Sequence, residues 1–518
     1  MLDDWNSYLV SFDTDHIKEY LFATNRLKEI RGASALLAWL DDRRRDFLAQ
    51  KCGKDNLIYS AGGSASVLVE NQNQADQLIA EVERDFGHRT QSASITGTLL
   101  KPYEPFSQEQ IGADQKKFGA RMQAARIKLN MRKMQRAEVN SIPVQPYFRL
   151  CNSCGQYPAT RRSRHDSADL LCWSCDRKRR WGERSRLSFF YKFASYVQET
   201  KHDTTWKAKF IPNDLGDIGD VSVPNGYVGY LTLDGNRMGE QFEKLLEKQR
   251  YQIFSEELAK LTKEITFDAL YEYTRRHTGT VPFEIVLIGG DDIKLFTAAD
   301  IAVPVARYII SEFETRSKVL LQKIGLAAEK GCTMAAGVVL CHSNFPIPAL
   351  VDIGEELLKS AKRLCAEHKY AESAIDFEVI TSSAADLDIA RAQVPHNKPY
   401  TLSQIDRLLH YAQQLREKEI PHTQLQMVYD ACHHSKVMGT KVEGTMALLH
   451  TLGRLRQREQ REVLKRFLIE FSEMDVAKAT HWPWIMVHKE KEQPETPLML
   501  KTALVDLIDL YEFTRNGD

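Results

Sequence analysis

One order of secondary structure occurs twice in this chain of 518 residues, and it constrains the fold more than any other feature. In each copy an apolar strand ends in an acid and is followed by a helix, a hairpin, a second helix and a closing strand. The first copy runs from Tyr8 to Leu100, and the second runs from Tyr227 to Ile380 with one added helix and strand. This order is that of a ferredoxin-like unit. The sequence therefore predicts two palm domains of shared architecture.

The tips of the two predicted hairpins differ in chemistry. They consist of Gly62-Gly63-Ser64-Ala65 and Gly289-Gly290-Asp291-Asp292. With the glycine pairs aligned, the first palm lacks the carboxylates of the second and is its degenerate copy. Paired carboxylates repel each other unless solvent or a cation separates them, and their hard oxygens suit Mg²⁺ or Mn²⁺. A solvated surface turn is the alternative for an isolated tetrapeptide of this kind, so the neighbouring residues must decide.

A third acid is predicted to join this hairpin. Asp234 ends the first strand of the second palm, which pairs beside the hairpin in the palm topology. Together with Asp291 and Asp292 it could hold two divalent ions, which would bind the attacking and leaving oxygens of an in-line displacement. These three aspartates are the predicted catalytic and metal-binding residues. The chemistry they suggest is phosphoryl or nucleotidyl transfer.

The turn after Asp234 suits a triphosphate, because its glycines permit close backbone approach and its free N–H groups open a helix. Lys362 and Lys359 lie one turn apart on the helix predicted to face the hairpin, and Lys362 is the preferred contact for phosphate oxygens. Solvated surface lysines are the alternative. The predicted nucleotide-binding residues are Gly235, Asn236, Arg237, Gly239, Gly289, Gly290 and Lys362.

Four of the nine cysteines form two close pairs, with the spacing C-x2-C-x17-C-x2-C. They are Cys151, Cys154, Cys172 and Cys175. This spacing predicts a four-thiolate zinc ribbon, and four protein ligands make the zinc structural. An odd cysteine count with such pairs fits metal binding in a reducing cytosol better than a disulfide framework.

Basic residues are concentrated around these cysteines. They are Arg161, Arg162, Arg164, Arg177, Lys178, Arg179, Arg180, Arg184 and Arg186. Such a cluster could bind RNA phosphates or an acidic partner, and a merely solvated surface is the equal alternative. The chain as a whole carries no net charge, so any attraction for nucleic acid must be local.

The predicted class is α+β, with two ferredoxin-like palms, a helical insert that contains the zinc ribbon, and a C-terminal helical domain. The predicted boundaries are 1–105, 106–222, 223–395 and 396–518 in that order. An apolar content of 43% is that of an ordinary globular protein. No apolar run reaches membrane-spanning length, and the first residues lack the order of a signal peptide. We therefore expect a cytoplasmic protein without a membrane partner.

These motifs together resemble the large subunits of type III CRISPR complexes, palm-domain polymerase/cyclases of the Cmr kind. Besides the hairpin and the turn after Asp234, the matching segments are 17–34, 336–339, 357–362 and 398–402. The resemblance implies that ATP is polymerised into cyclic oligoadenylate messengers for antiviral defence, with Asp291 and Asp292 as metal ligands. It also implies other CRISPR effector subunits and guide or target RNA as partners.

Two departures from this family change the expectation. Asn236 stands where members often carry an acid, which alters that ligand or turn contact. Many members begin with a nuclease domain built around a His-Asp pair, whereas the first palm here starts at residue 8, so we expect no DNase activity. Two other functions remain open: a catalytically quiet scaffold of an RNA-guided complex, and a stand-alone cyclic dinucleotide synthase. Ile293 after Asp292, in place of Phe, argues against the family with Gly-Gly-Asp-Glu-Phe hairpins.

Overall fold

The structure is a computed structural model of the chain. It describes residues 4–104, 118–136, 147–164, 166–183, 188–326, 329–381, 387, 391, 396–438, 449–455, 457–473, 485–487 and 499–515. Helices and mixed sheets alternate through these ranges, which confirms the predicted α+β class. Within them, no helix combines the length and the apolar character needed to cross a membrane.

The first palm is built on a four-stranded antiparallel sheet of order β2-β3-β1-β4. Its elements are β1 (Tyr8–Thr14), α1 (Ile17–Leu21), α2 (Leu27–Cys52), β2 (Leu57–Ala61), β3 (Ser64–Val69), α3 (Gln72–Thr90) and β4 (Ile95–Leu100). Leu9, Val10 and Phe12 of the central strand β1 are fully buried. The Asn71 side chain caps α3 by accepting a hydrogen bond from the Gln74 amide. This is the ferredoxin-like arrangement that the order of elements predicted.

The insert is helical around a small two-stranded ribbon. Its elements are α4 (Phe118–Gln135), β5 (Arg161–Arg162), β6 (Leu170–Leu171), α5 (Trp173–Glu183), α6 (Phe189–Lys201) and α7 (Leu215–Gly219). Helix α5 crosses α2 of the first palm at a point where both backbones are glycine. A Cβ atom added to Gly32 would stand 1.7 Å from the Lys178 carbonyl oxygen, and one added to Gly182 would stand 1.9 Å from that of Lys28. The ribbon is therefore held in backbone contact with the first palm.

The second palm repeats the first and extends it. Its elements are β7 (Tyr227–Gly235), α8 (Met238–Glu243), α9 (Lys248–Thr274), β8 (Phe283–Gly289), β9 (Asp292–Ala298), α10 (Ala299–Lys323), β10 (Met334–His342), α11 (Ile347–Glu367) and β11 (Ala374–Ile380). The order β8-β9-β7-β10 matches that of the first palm, and β11 adds in parallel beside β10. Two palms of one topology were predicted, and the structure contains both.

One long helix predicted after Asp234 is broken into α8 and α9. The break frees the carbonyls of Leu245 and Leu246, which accept hydrogen bonds from the amides of Gly119 and Phe118 at 2.9 and 3.0 Å. These amides belong to the first turn of α4 and have no partner within their own helix. A tertiary contact therefore overrides the helical periodicity of this segment.

The C-terminal region is mainly helical and contributes one strand to the second sheet. Its elements are β12 (Tyr400–Thr401), α12 (Leu402–Glu417), α13 (His422–Met438), α14 (Arg458–Glu473), β13 (Ile485–Val487), β14 (Met499–Lys501) and α15 (Ala503–Glu512). Strand β12 pairs with β11, so this region is continuous with the second palm. A two-residue capping box at Thr401 and Gln404 begins α12.

A buried group of charges joins β11 to α15, and we call it the Lys398 cluster. It consists of Lys398, Arg391, Asp376, Glu378, Asp506 and Asp509. The Lys398 ammonium lies 3.2 Å from carboxylate oxygens of both Glu378 and Asp509. Lys398 is only 2% exposed, so these carboxylates take the place of its hydration shell.

Candidate active site

The three predicted acids meet at one corner of the second sheet. Leu233 of β7 pairs with Ile293 of β9, so the adjoining residues, Asp234 and Asp292, stand opposite each other. Asp291 occupies the turn between β8 and β9. Residues that are far apart in the chain are thus brought together by strand pairing.

The internal comparison of the two palms is shifted by one residue from the alignment of their glycine pairs. Around the second turn Gly289 pairs with Asp292, and around the first turn Ala61 pairs with Ser64. The position equivalent to Asp292 is therefore Ser64, and the position equivalent to Asp291 is a glycine. The alignment by glycine pairs was wrong because cross-strand pairing, and not sequence similarity, defines the turn.

The first palm retains one acid at the equivalent corner. Asp13 of β1 is opposite Ser64, as Asp234 of β7 is opposite Asp292. The Asp13 carboxylate accepts a hydrogen bond from the Ser64 hydroxyl at 2.5 Å and lies 2.6 Å from the Lys133 ammonium. The Lys133 ammonium also lies 3.1 Å from Asp15, so one lysine serves two carboxylates at this corner.

Two lysines reach the acidic corner of the second palm. Lys362 of α11 forms an ion pair with Asp234. The Lys294 ammonium lies 2.7 Å from Glu355, 3.5 Å from Asp292 and 3.0 Å from the Thr232 hydroxyl. Lys359, the other lysine considered on α11, is exposed. The structure thus brings Lys362, but not Lys359, into contact with the predicted acids.

Lys294 and Glu355 are site residues that the sequence analysis missed. Lys294 lies two residues after Asp292 on β9, so both side chains are on the same face of the strand. That spacing was a usable signal. Glu355 is 61 residues further along the chain than Lys294, and no sequence pattern indicated it. Only the packing of α11 on the sheet brings it to Lys294.

The corner carries more negative charge than its two lysines balance. Partial burial, followed by the negative charge of Asp234, raises the pKa of Asp291 to about 7. Burial also raises the pKa of Asp292 to about 6, although the Lys294 ammonium opposes this rise. At neutral pH Asp291 therefore retains part of its proton, which a cation could displace, whereas Asp292 is mostly ionised. Their hard oxygen atoms fit Mg²⁺ or Mn²⁺.

The turn after Asp234 packs closely against the acids. A Cβ atom added to Gly235 would stand 2.8 Å from the Asp291 carboxylate, so a larger residue would displace that group. The Asn236 side chain is buried and donates a hydrogen bond to the Thr333 hydroxyl at 3.0 Å. Its backbone amide donates to the Thr333 carbonyl at 2.8 Å. Asn236 therefore fixes the turn to the start of β10.

The other predicted residues of this turn border open space. Arg237 has a left-handed backbone (φ 52°), is bonded to Glu240 and lies 4.9 Å from the Tyr370 ring centre. A Cβ atom on Gly239 would stand 3.4 Å from the Arg126 guanidinium. These positions bring two guanidinium groups to the edge of the turn, where an anion could bind.

A cavity of 320 Å³ lies between the two palms beside the acids. Its lining includes Asp13, Ser64, Arg126, Gly239, Gly290 and Asp291. At its edge the two hairpin tips touch, since a Cβ atom on Gly289 would stand 2.9 Å from the Gly62 Cα atom. The cavity thus connects the acidic corner of the second palm to the equivalent corner of the first, where Asp13 is paired with Lys133.

The four paired cysteines form a compact cluster, with all their sulfur atoms within 4.8 Å of one another. The Sγ atoms of Cys154 and Cys172 are 3.9 Å apart, close to the edge of about 3.8 Å expected for a tetrahedron of thiolates around zinc. Among the described residues, this is the one group of three or more His, Cys, Asp or Glu side chains gathered closely enough to hold a metal ion. The three aspartates are spread further, and Asp234 is paired with Lys362 instead.

Most of the basic residues around the cysteines serve the fold. Lys178 is buried and donates a hydrogen bond to the Tyr20 carbonyl. Arg179 is paired with Glu29 and with Asp169. Arg162 and Arg164 are exposed, and Arg184 and Arg186 lie outside the described residues. The paired residues thus stabilise the fold, and binding of RNA or of an acidic partner by the other basic residues stays a prediction.

Two family models match separate parts of the chain. The second palm domain of Cas10/Cmr2 matches residues 227–369, and domain B of the Csm1 subunit matches residues 6–144. Together they cover both palms. The chain belongs to the type III CRISPR large-subunit family. Both Cmr and Csm members of that family are represented in these matches, whereas no curated relative matches the chain.

Solved structures of Csm1 share the family fold. Csm1 of T. onnurineus superposes with a TM-score of 0.61 at 14% identity, covering 98% of this chain and 70% of that one. A Csm1–Csm4 cassette in complex with pppApApA gives 0.59 at 13% identity and covers 98% and 69%. The cassette in complex with cA4 gives 0.54 at 14% identity and covers 98% and 70%. The fold is therefore common to this chain and to Csm1.

Proposed function

We propose that the chain condenses ATP into cyclic oligoadenylate, as a divalent-metal-dependent nucleotidyltransferase of antiviral defence. The observation that carries the proposal is the acidic corner of the second palm, where Asp291, a carboxyl with a raised pKa, lines the cavity between the palms. Asp292, whose pKa is also raised, and the ion pair of Asp234 with Lys362 belong to the same corner. Csm1–Csm4 cassettes of the same fold have been solved in complex with pppApApA, a linear oligoadenylate, and with cA4, a cyclic one. Such ligands are the intermediate and product expected of this chemistry.

The proposed metal ligands are Asp234, Asp291 and Asp292, whose oxygens suit Mg²⁺ or Mn²⁺. A bound ion would lower the pKa of the attacking 3′-hydroxyl and offset charge on the triphosphate. In the reaction the O3′–H bond breaks with loss of its proton to solvent, the O3′–Pα bond forms, the bond between Pα and the pyrophosphate oxygen breaks, and pyrophosphate leaves. Lys362 would exchange Asp234 for phosphate oxygens when ATP binds, because both partners are anions competing for one ammonium.

The turn and the cavity would position the nucleotides. Gly239 and Gly290 line the cavity where a triphosphate would lie, and Arg126 borders the same space. Gly235 would act indirectly, since its missing side chain leaves room for the Asp291 carboxylate. Asn236 would contribute by holding the turn against Thr333 and Arg237 by its exposed guanidinium. The acceptor nucleotide would bind toward the first palm, where the cavity ends at Asp13 and Ser64.

We further propose that the chain acts in the cytoplasm as a subunit of an RNA-guided complex, with guide and target RNA nearby. Several solved structures of this fold are cassettes of Csm1 with Csm4, which supports a second CRISPR subunit as partner. The cysteine cluster would hold structural zinc, since its four thiolates leave no open position. A DNase activity is not part of the proposal.

The test is synthesis from labelled ATP with Mn²⁺, with and without an assembled guide complex, followed by mass spectrometry of the product. We expect D291N/D292N to lose product by at least about a hundredfold, equivalent to ~2.7 kcal/mol of barrier, because metal binding and its charge stabilisation are lost. The matched control is D55N, an exposed acid outside the cavity, which should retain full synthesis.

Three results would contradict the proposal in different ways. Full synthesis by D291N/D292N would overturn the metal assignment. No product from the wild type under any condition, with partner binding intact in the double variant, would favour the scaffold role. A cyclic dinucleotide as the product would favour the stand-alone synthase.

A further inference from the structure

A second cavity, of 310 Å³, lies where α5 of the zinc ribbon meets α2 and α3 of the first palm. Three of the seven tryptophans of the chain line it, namely Trp39, Trp173 and Trp181, and we call it the tryptophan cavity. The ring centres of Trp39 and Trp181 are 5.3 Å apart, and Trp173 is 42% exposed. Indoles gathered around a concave surface are typical of a binding site, because they offer large rigid contact areas.

Cations surround these indoles. The Arg161 guanidinium lies 3.7 Å from the ring centre of Trp173, and that of Arg89 lies 4.9 Å from Trp39. Arg177 donates hydrogen bonds to the carbonyls of His88 and Arg89, which fixes it beside the cavity. The charged side chains that line the cavity are Arg89, Arg177, Arg180 and Asp176, with His88 beside them. Its lining therefore carries a surplus of positive charge.

Arg180 has unused hydrogen-bonding capacity at this place. One end of its guanidinium is paired with Asp176, while its buried Nε atom has no hydrogen-bond partner among the described residues. Buried donors without partners are rare in proteins, and a bound water, ion or ligand is one way in which they are satisfied. This separates Arg180 from its neighbours Lys178 and Arg179, whose partners belong to the protein.

We propose that the tryptophan cavity binds one nucleotide of a single-stranded nucleic acid. Every base has a π face that stacks on indole, and guanidinium groups bind the adjoining phosphates. A volume of 310 Å³ is at the small end of ligand pockets, which suits one unpaired nucleotide and not a duplex. An acidic peptide would use the arginines but would gain little from the half-exposed Trp173 ring, on which a base could replace the Arg161 guanidinium as stacking partner.

This inference is independent of the proposed ATP chemistry. Its residues belong to α2, α3 and the zinc ribbon, and none of them lines the cavity between the palms. The net charge of the chain is zero, so binding would depend on this local surface and would weaken with added salt. Failure of ATP condensation would therefore leave this proposal standing, and the reverse is equally true.

The test uses the full chain and a 12-nucleotide oligouridine RNA labelled with fluorescein, with fluorescence anisotropy as the readout. We expect W173A to raise Kd about tenfold, because one base loses its stacking platform, whereas W173F should bind within about twofold of the wild type. RNA should also quench tryptophan fluorescence, and less so in W173F. Zinc content is measured for each variant, to show that the ribbon is intact.

Matched controls separate this cavity from general charge and general aromatic surface. R180Q should weaken binding, whereas R162A, which removes an exposed ribbon arginine outside the cavity, should change it little. F210A removes an aromatic side chain that is 73% exposed elsewhere and should bind as the wild type does.

Competition experiments identify the ligand class. Unlabelled single-stranded RNA and DNA of one sequence should both compete, and their ratio tells which of them is the physiological source. Competition by duplex RNA or by a polyglutamate peptide at equal strength would overturn the proposal. So would wild-type affinity in a zinc-loaded W173A, or an equal loss in R162A and R180Q. If W173A loses its zinc, R180Q and W173F decide the question.

Discussion

At the acidic corner of the second palm, three aspartates meet two lysines, and the charge state of each residue depends on its neighbours. Asp234 is paired with Lys362, Asp292 lies near Lys294, and Asp291 has a pKa raised to about 7 by burial and by Asp234. A divalent cation bound by these aspartates, as we propose, would have to displace the Lys362 ammonium from Asp234 and the proton that Asp291 retains. Under this assignment, metal binding and the release of Lys362 from Asp234 would occur together.

The first prediction concerns K362Q. The ion pair between Lys362 and Asp234 is partly exposed, so it is worth at most ~1 kcal/mol. Removing the competing ammonium should tighten Mn²⁺ binding up to about fivefold, as measured by electron paramagnetic resonance of free Mn²⁺. Synthesis should nevertheless fall, because a triphosphate contact is lost. K359Q, on the exposed side of the same helix, is the control and should alter neither quantity.

Unchanged or weaker Mn²⁺ binding in K362Q would mean that Lys362 does not compete with the metal for Asp234.

The aspartates themselves could be chosen from the sequence, because their motifs are local and strand pairing in a palm is known in advance. Glu355 could not be chosen, because its contact with Lys294 depends on how α11 packs.

At the scale of elements, local sequence patterns predicted the features that depend on neighbouring residues, namely the strands, the helices and the hairpin turns. Apolar alternation and the paired glycines placed both hairpins correctly, and the repeated order of elements placed both sheets. The errors arose where distant parts meet. The one-residue shift between the palms follows from cross-strand pairing, and the break between α8 and α9 follows from the amides of Phe118 and Gly119. Neither is encoded in the segment that it affects.

The second prediction concerns the crossing of α2 and α5. In G32A the new Cβ atom would stand 1.7 Å from the Lys178 carbonyl oxygen and 2.5 Å from the Gly182 nitrogen, both backbone atoms that cannot rotate away. The helices must separate, and we expect a loss of about 1–3 kcal/mol in the free energy of unfolding by urea. Zinc content reports whether the ribbon is still held.

The control for this prediction is G87A. Gly87 lies within α3, and nothing is within 4 Å of its added Cβ atom. Alanine should therefore stabilise the protein by about 0.5–1 kcal/mol through helix propensity. Stability of G32A equal to that of G87A would show that the two helices do not depend on backbone contact.

At the scale of the whole molecule, the Lys398 cluster joins the second palm to the C-terminal helix α15. Its two cations, Lys398 and Arg391, face four carboxyl groups. Because the cations cannot balance four negative charges, part of the acids retain protons. Glu378 has a pKa lowered to about 2 by Lys398 and Arg391 despite its burial, whereas burial raises the pKa of Asp506 to about 7.

The third prediction is a pH dependence of stability. Since the pKa of Asp506 is about 7 in the folded chain and near 3.8 when unfolded, the folded state binds more protons between pH 4 and 7. This group therefore lowers the free energy of unfolding as pH rises through that window. D506N cannot ionise, so its urea midpoint should fall less between pH 5 and pH 8 than that of the wild type.

Asparagine can still accept hydrogen bonds from the Tyr400 hydroxyl and the Asn397 amide, so the substitution preserves the local contacts. Curves for D506N and the wild type that stay parallel over this pH range would contradict a protonated Asp506. The Lys398 cluster could not be predicted from the sequence, because Lys398 and its partner Asp509 in α15 are separated by more than 100 residues.

The contact between Gly62 and Gly289 joins the two palms next to the proposed metal ligands. The turn that carries Asp291 is the same turn that rests on the first palm, so a change in the angle between the palms reaches that carboxylate within two residues. If the chain lengthens an oligoadenylate as we propose, a product growing in the cavity between the palms would contact the hairpin of Asp291 and Asp292. The length of the product would then change the position of the Asp291 carboxylate, and with it the rate of further synthesis.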